Sequence, residues 1–284
     1  MTTGTIEIQH SQINTTVKRP IFIIILIFSL FILPALAPGK PLSGLEIIKR
    51  VNQKERGRTS STTTEMVLIG KNGQKKSRLI RSFTKHKTDI IKKILFVLSP
   101  PGVKGTALLT YDYPSTSRET EQWIYLPALH RTKRVSAGNR SGSFMGSDFS
   151  YGDLIRKSLN AYSYTVIKEQ VHKGHPVWII EAIPKNTEII QQFGYTKSLL
   201  IVRKDNFIVV GSIHWLKDKN TLKYHEVTEL EKIDGIWIPT KVSAKTVSNG
   251  ETVHRTIVIN KDIKFNQPIA DQIFSKRKLQ LGLQ

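Results

Sequence analysis

The sequence predicts a mainly β protein with few helices: one strongly curved antiparallel sheet of about ten or more strands. Past residue 58 the apolar residues recur at every second position in several segments, the period of a strand rather than of a helix. Turn dipeptides interrupt those segments at short intervals, among them Asn72-Gly73, Lys173-Gly174, Asp205-Asn206, Asp234-Gly235 and Asn249-Gly250. No long linker, low-complexity run or fixed-period repeat divides the chain, so the strands belong to one sheet.

The elements follow in order. Lys18 and Arg19 precede an uncharged run, Ile21 to Ala37, that ends in small residues at Ala35, Ala37 and Gly39. That is the layout of a secretory signal, so residues 1–39 are read as an export segment and 40–284 as a single folded domain. Cleavage after Gly39 avoids Pro38 just beyond the scissile bond and leaves Lys40 as the new N-terminus. Left uncut, the run makes a helix roughly 25 Å long, enough for an inner-membrane anchor. Either way the folded part lies outside the cytoplasm, and a chain without cysteine fits the bacterial periplasm better than a eukaryotic exterior.

Ser43 and Glu46 then form a capping box, and Leu42 with Ile47 a hydrophobic staple around it. Leu45, Ile48 and Val51 give this helix an apolar face, and it fades near Lys54. Strands Thr62–Lys71 and Gln74–Thr84 flank Asn72-Gly73 as a hairpin. Ile90–Leu98 stops at Ser99-Pro100-Pro101-Gly102, Gly105–Tyr113 follows, and Glu119–Leu126 is an aromatic strand. After a loop come strands Tyr162–Gln170, Val177–Ile183, Tyr195–Lys204, Phe207–Leu216, Thr221–Leu230, Trp237–Val247 and Glu251–Phe265. Short helices are expected over Ser150–Lys157 and over Ile269–Lys278, the second carrying Ile273 and Phe274.

The formal net charge of +21 favours anionic partners. Export removes nucleic acid from that set and leaves acidic lipid surfaces and phosphorylated ligands. The absence of cysteine excludes disulfides, thiolate metal sites, a Cys nucleophile and a lipid anchor on an N-terminal Cys. His172 and His175 flank a turn, His214, His225 and His254 stand singly on separate strands, and no HExxH occurs. No serine sits in Gly-x-Ser-x-Gly between a strand and a helix, and no Gly-rich phosphate loop is present. Asp148 and Asp153 read as loop-ordering carboxylates rather than an acid/base pair. Neither an enzyme nor a cofactor or metal is expected. Lysine runs such as Lys92-Lys93 read as solvated strand faces.

The segment Trp123–Leu154 carries the functional signal. Its aromatic strand ends in Leu-Pro and runs into His130, Arg131, Lys133, Arg134 and Arg140. A Gly/Ser-rich stretch then delivers Phe144, Met145, Phe149 and Tyr151 among only Ser, Gly and Asp. Large apolar side chains on a polar loop beside a cationic cluster suit an amphipathic ligand. Trp123, Tyr125, Phe144, Met145, Phe149 and Tyr151 are the candidate lipid-binding and cover residues. Arg131, Lys133 and Arg134 are the candidate contacts to an anionic headgroup or membrane surface.

The Trp-x-Tyr-Leu-Pro start, the basic strand and the Phe-Met-Gly-Ser-Asp-Phe-Ser-Tyr core resemble the LolA-like outer-membrane lipoprotein-sorting proteins. The resemblance extends over roughly Pro41 to Leu279, through the leading helix, Trp237-Ile238-Pro239 and the terminal Phe274-Ser275-Lys276-Arg277. It implies an incomplete β-barrel whose open side is closed by helices and a loop, with a concave apolar surface that holds acyl chains. It implies a periplasmic carrier of a lipid or acylated protein, handing cargo to or from an envelope transporter such as an RND-type inner-membrane exporter. The alternative reading is a lipid-free periplasmic adaptor of such an export complex, with a filled core and a basic docking face.

Overall fold

The computed structural model describes residues 40–114 and 118–283; the expected export segment, residues 1–39, lies outside the described residues. Helix α1 (Gly44–Gln53) begins at the capping box: the Ser43 hydroxyl accepts the Glu46 N–H, and Glu46 accepts the Ser43 N–H at 2.8 Å. Its buried residues are Gly44, Ile47 and Ile48, one position round from the face expected, and Leu45 is 47% exposed. Gly44 sets that rotation. A Cβ there would lie 2.7 Å from the backbone oxygen of Tyr164, so the bare helix start packs directly on a strand.

Six strands run up one side of the sheet: β1 (Thr59–Gly70), β2 (Lys75–His86), β3 (Ile91–Ser99), β4 (Ala107–Asp112), β5 (Glu121–Leu126) and β6 (Arg131–Arg134). The other side holds β7 (Tyr162–His172) and β8 (His175–Pro184), then, after α2 (Thr187–Phe193), β9 (Tyr195–Arg203) and β10 (Val209–Leu216). It ends with β11 (Thr221–Ile233), β12 (Ile236–Ser248) and β13 (Glu251–Phe265), before α3 (Lys276–Leu281). Every pairing is antiparallel, and the order is β6-β5-β4-β3-β2-β1-β13-β12-β11-β10-β9-β8-β7. The mainly β class and the single open, curved sheet are as the sequence predicts.

Pairing of β1 with β13 brings the two ends of the meander together at the centre of the sheet. The edges are therefore β6 and β7, which are neighbours in sequence. The barrel stays open between them, and residues 135–161 carry the chain from one edge to the other. That geometry puts the most unusual stretch of the sequence across the seam.

On β3 and β4 alternation disappears, because both faces are covered. Leu95, Val97 and Leu108 point inward, while Ile94, Phe96 and Leu109 point outward against Phe274 and Leu279. Phe274 and Leu279 are 2% and 0% exposed, each burial being worth about 1.5–3 kcal/mol. The expected C-terminal helix thus exists as a single turn around Asp271–Ile273 followed by α3, with Ser275 as its cap. Helix α2 has no counterpart among the predicted elements. Asn186 caps it by accepting the Ile189 N–H at 3.0 Å, and Gly194 ends it at φ 80°.

Candidate functional site

The seam-crossing loop is held by hydrogen bonds within itself as well as by contacts to the sheet. The Phe144 N–H donates to the Phe149 carbonyl at 2.7 Å, Tyr151 N–H to Gly142 at 3.1 Å, and Gly152 N–H to Arg140 at 2.8 Å. Met145 and Gly146 turn the tip at φ 53° and 77°, the second being a conformation that glycine adopts without strain. Ser150 closes a second capping box with Asp153 over the expected short helix, which is a 3-10 turn at Tyr151–Leu154. Arg140, buried inside the loop, donates to the Thr120 carbonyl and does not join the exposed basic strand.

This internally bonded loop dips into the barrel. Phe144 is 4% exposed and packs with Met66, Leu68, Ile80, Leu95, Val97 and Leu108 on the inner wall of β1–β4. Tyr151 meets Phe144 edge-on at 5.6 Å, and Met145 and Leu154 fill in around them. Phe149 reaches the opposite wall, with its ring 5.0 Å from that of His225 on β11.

Polar latches hold the loop down on that opposite wall. Asp148 is 2% exposed and accepts Thr246 Oγ1 at 2.5 Å, Thr256 Oγ1 at 2.7 Å and His254 Nδ1 at 2.8 Å. Its own N–H donates to Thr256 Oγ1 at 3.0 Å. Asp153 accepts the Tyr195 hydroxyl at 2.7 Å as well as the Ser150 N–H and hydroxyl. Burial alone would raise the Asp153 pKa, but Lys157, His225, His214 and the Ser150 N–H together hold it well below the usual carboxylate range.

Two inward histidines lie beneath the latches. His214 is held between the Ser198 hydroxyl at 2.7 Å and the Ser212 hydroxyl at 2.8 Å, and it stacks on Tyr195 at 4.3 Å. Burial first, then Lys157 and other neighbouring cations, push its pKa well below 6.5. His225 falls to about 4, again mainly through burial, with Lys157 and Lys223 adding to it and Asp153 and Asp148 opposing. Such groups stay neutral in the fold and protonate on unfolding, so their contribution is complete above pH 6.5 and is lost as pH falls toward 4. Stability to urea is therefore expected to decline over that window, with His225 accounting for about 3 kcal/mol at most. His214→Gln with His225→Gln should flatten the decline. An unchanged pH profile in the double variant would contradict this.

Beside the loop the interior stays open as a cavity of about 480 Å³, roofed by the end of α1 and bordered by Leu154 and Ile155. Its walls differ in character. Ser60, Thr84, Lys93 and Thr110 form one inward row across β1–β4, joined by His86, Lys54, Arg56 and Arg156. Phe265 continues that row on β13 beside Ser60, and Phe207, Ile208, Val209, Ile236 and Trp237 supply the apolar part of the lining. Lys93 does not lie on a solvated strand face, as its place in a lysine run suggests. It shares the inward face of β3 with Leu95 and Val97, so only Lys92 of the pair points out. The alternation Lys93-Leu95-Val97 is the available signal for this.

The structure brings Phe144, Met145 and Tyr151 together inside the barrel and sets Phe149 apart from them against His225. It does not bring Trp123 and Tyr125 to them. Those two point through the outer face of β5, where Trp123 lies under Lys276 at 4.2 Å and packs near Phe274. Inner positions of β5 belong to Gln122 and Ile124. Arg131, Lys133 and Arg134 are exposed on edge strand β6, and Arg134 shares a surface hollow with Lys276 and Arg277 of α3. No helix among the described residues is long and apolar enough to cross a membrane.

An open antiparallel half-barrel with an inner helix and a seam-crossing loop is a LolA-like fold, and solved structures share it. A putative outer membrane lipoprotein-sorting protein domain from Vibrio parahaemolyticus is 28% identical, with a TM-score of 0.74 over 84% of this chain and 98% of its own. A DUF1329 family protein from Desulfovibrio piger matches at 24% identity and a TM-score of 0.75, over 83% of this chain and 97% of its own. A LolA superfamily protein from Nitrosomonas europaea shares the fold at 14% identity and a TM-score of 0.63, over 84% of this chain and 100% of its own. A family model described as an uncharacterized protein matches residues 91–281, and the chain belongs to that family. No curated protein matches it.

Proposed function

We propose that this chain is a periplasmic carrier that shields acyl chains of a lipid or acylated protein inside the half-barrel, without catalysis, and exchanges them with an envelope transporter. The observation that carries this reading is the loop. Side chains of a surface-crossing segment, rather than of the strands alone, fill the apolar half of the interior. A loop held by its own hydrogen bonds and by polar latches can leave as a unit, exposing Met66, Leu68, Ile80, Leu95 and Leu108 as an acyl-binding wall. Acyl burial supplies affinity at about 0.8 kcal/mol per CH₂. Return of Phe144 and Tyr151 to that wall competes with the cargo, which is how release is achieved.

Arg131, Lys133 and Arg134, with Lys276 and Arg277 beside them, form an exposed basic surface next to the seam. It suits an acidic membrane or a transporter's acidic face, each cation near anionic lipid contributing roughly 1 kcal/mol. The test is native mass spectrometry of protein purified from a bacterial envelope, with lipid extraction and titration of a fluorescent fatty acid. Co-purified lipid or fatty-acid binding is expected. Absence of both would sink the carrier and favour the lipid-free adaptor.

A further inference from the structure

The open cavity carries a charge pattern that the acyl wall does not explain. Lys54, Arg56, Lys93 and Arg156 line it together with His86. What polar contacts they make are to backbone carbonyls: Lys54 to Trp237 at 3.3 Å, Arg56 to Val51 at 3.3 Å and Arg156 to Asn52 at 3.4 Å. Among the described residues no carboxylate pairs with any of the four within 4.0 Å. Three carboxylates border the same space, and their hydrogen bonds go to other groups, although Asp112 still raises Arg56 and Glu55 still raises His86. Glu55 accepts the N–H groups of Arg56 and Gly57, Asp112 accepts Thr120, and Asp153 serves the loop.

Gathering cations without partners is unfavourable, and the side chains register it. Lys54 is lowered to about 8, by burial and then by Arg56. Burial lowers Lys93, and burial followed by Arg156 lowers Arg56 even though its side chain reaches the cavity mouth. His86 drops to about 4 through burial, Arg56 and Arg156. Phe207, Ile208, Ile236 and Trp237 line the same cavity, so this one space offers both cationic and apolar contacts. Its volume of about 480 Å³ falls within the range of roughly 300–1,000 Å³ typical of small-ligand sites.

We infer that this cavity binds an anionic amphiphile, a fatty carboxylate or a lipid phosphate. Its head lies among Arg56, Lys93 and Arg156, and its chain lies against Phe207, Ile236 and Trp237. The inference rests on the carrier reading and narrows it: the cargo carries a negative head, and that head binds inside the barrel near the end of α1 rather than on β6. Hydrogen bonds to an ionised head are the strong kind, so each well-placed cation contributes about tenfold in affinity.

The experiment uses delipidated full-domain protein at neutral pH and three probes: parinaric acid, its methyl ester and inorganic phosphate. The acid should bind at least tenfold more tightly than the ester, with phosphate alone a weak competitor. Lys93→Met and Arg156→Gln should each lower acid affinity about tenfold and leave the ester unchanged. Lys93→Met should also raise the thermal midpoint, because it removes a buried like charge. A lysine with only a structural role would give a lower midpoint and equal losses for both probes. Equal affinity for acid and ester overturns the anionic-head site and leaves the carrier intact. Failure of both lipid probes overturns the two together, and phosphate binding as tightly as the acid reassigns the cluster to a soluble anion.

Discussion

Replacing Asp148 with Ala should release the seam-crossing loop and cost about 3 kcal/mol of stability. The carboxylate is the shared acceptor for Thr246, Thr256 and His254, which belong to two neighbouring strands, β12 and β13. Its removal leaves three donors without that acceptor, and of the polar ties made by Asp148 only its backbone N–H to Thr256 remains. The loop's internal hydrogen bonds survive, so the loss is expected to be local. Amide exchange across residues 142–152 should accelerate by about a hundredfold, the rate equivalent of that free energy, with β1–β5 little affected. Asp148→Asn keeps the shape and part of the bonding and should lie between. Unchanged protection of the loop in Asp148→Ala would mean that the apolar contacts alone hold it.

Phe144→Ala should show the other half of the arrangement. Truncation of a buried Phe costs about 3–5 kcal/mol, and Met145 beside it can relax to keep the loss at the low end. An ordinary core residue would give that loss and nothing more. Here Leu154 packs on the same cluster and also lines the cavity, so the vacated volume adjoins the open space. Added fatty acid should then recover most of the lost stability, and longer chains should be accepted better than by the parent protein. Thermal midpoints with and without ligand decide it: a loss that ligand does not recover assigns Phe144 to the permanent core.

Much of the fold is legible in the sequence because local signals agree with the global arrangement. Asn72-Gly73, Asp234-Gly235 and Asn249-Gly250 each sit at a turn between adjacent strands, and Ser43 and Glu46 start α1 as their spacing demands. Two-fold periodicity locates strands but not their faces. Trp123 and Tyr125 read as partners of Phe144 because they are close in sequence, yet β5 is covered on both sides, so aromatic character cannot say which side each takes. Helix α2 escapes a periodicity search because seven residues give little pattern, although Asn186 and Gly194 mark both its ends. The cavity's cations are hidden for a different reason. Lys54, Arg56, His86, Lys93 and Arg156 come from four separate parts of the chain, and only the curvature of the sheet and the docking of α1 bring them together.

A loop that must move to admit acyl cargo can be stopped by tying it down, and a chain without native cysteines allows that directly. Asp148 and Thr256 already touch through two hydrogen bonds, so Asp148→Cys with Thr256→Cys places a disulfide between the loop and β13. Uptake of a fluorescent fatty acid by the delipidated double variant should fall sharply on oxidation, to what the cavity beside the loop admits by itself, and recover with a reductant. Equal uptake in the oxidised and reduced states, with the crosslink verified by mass, would contradict the loop's role as a moving cover.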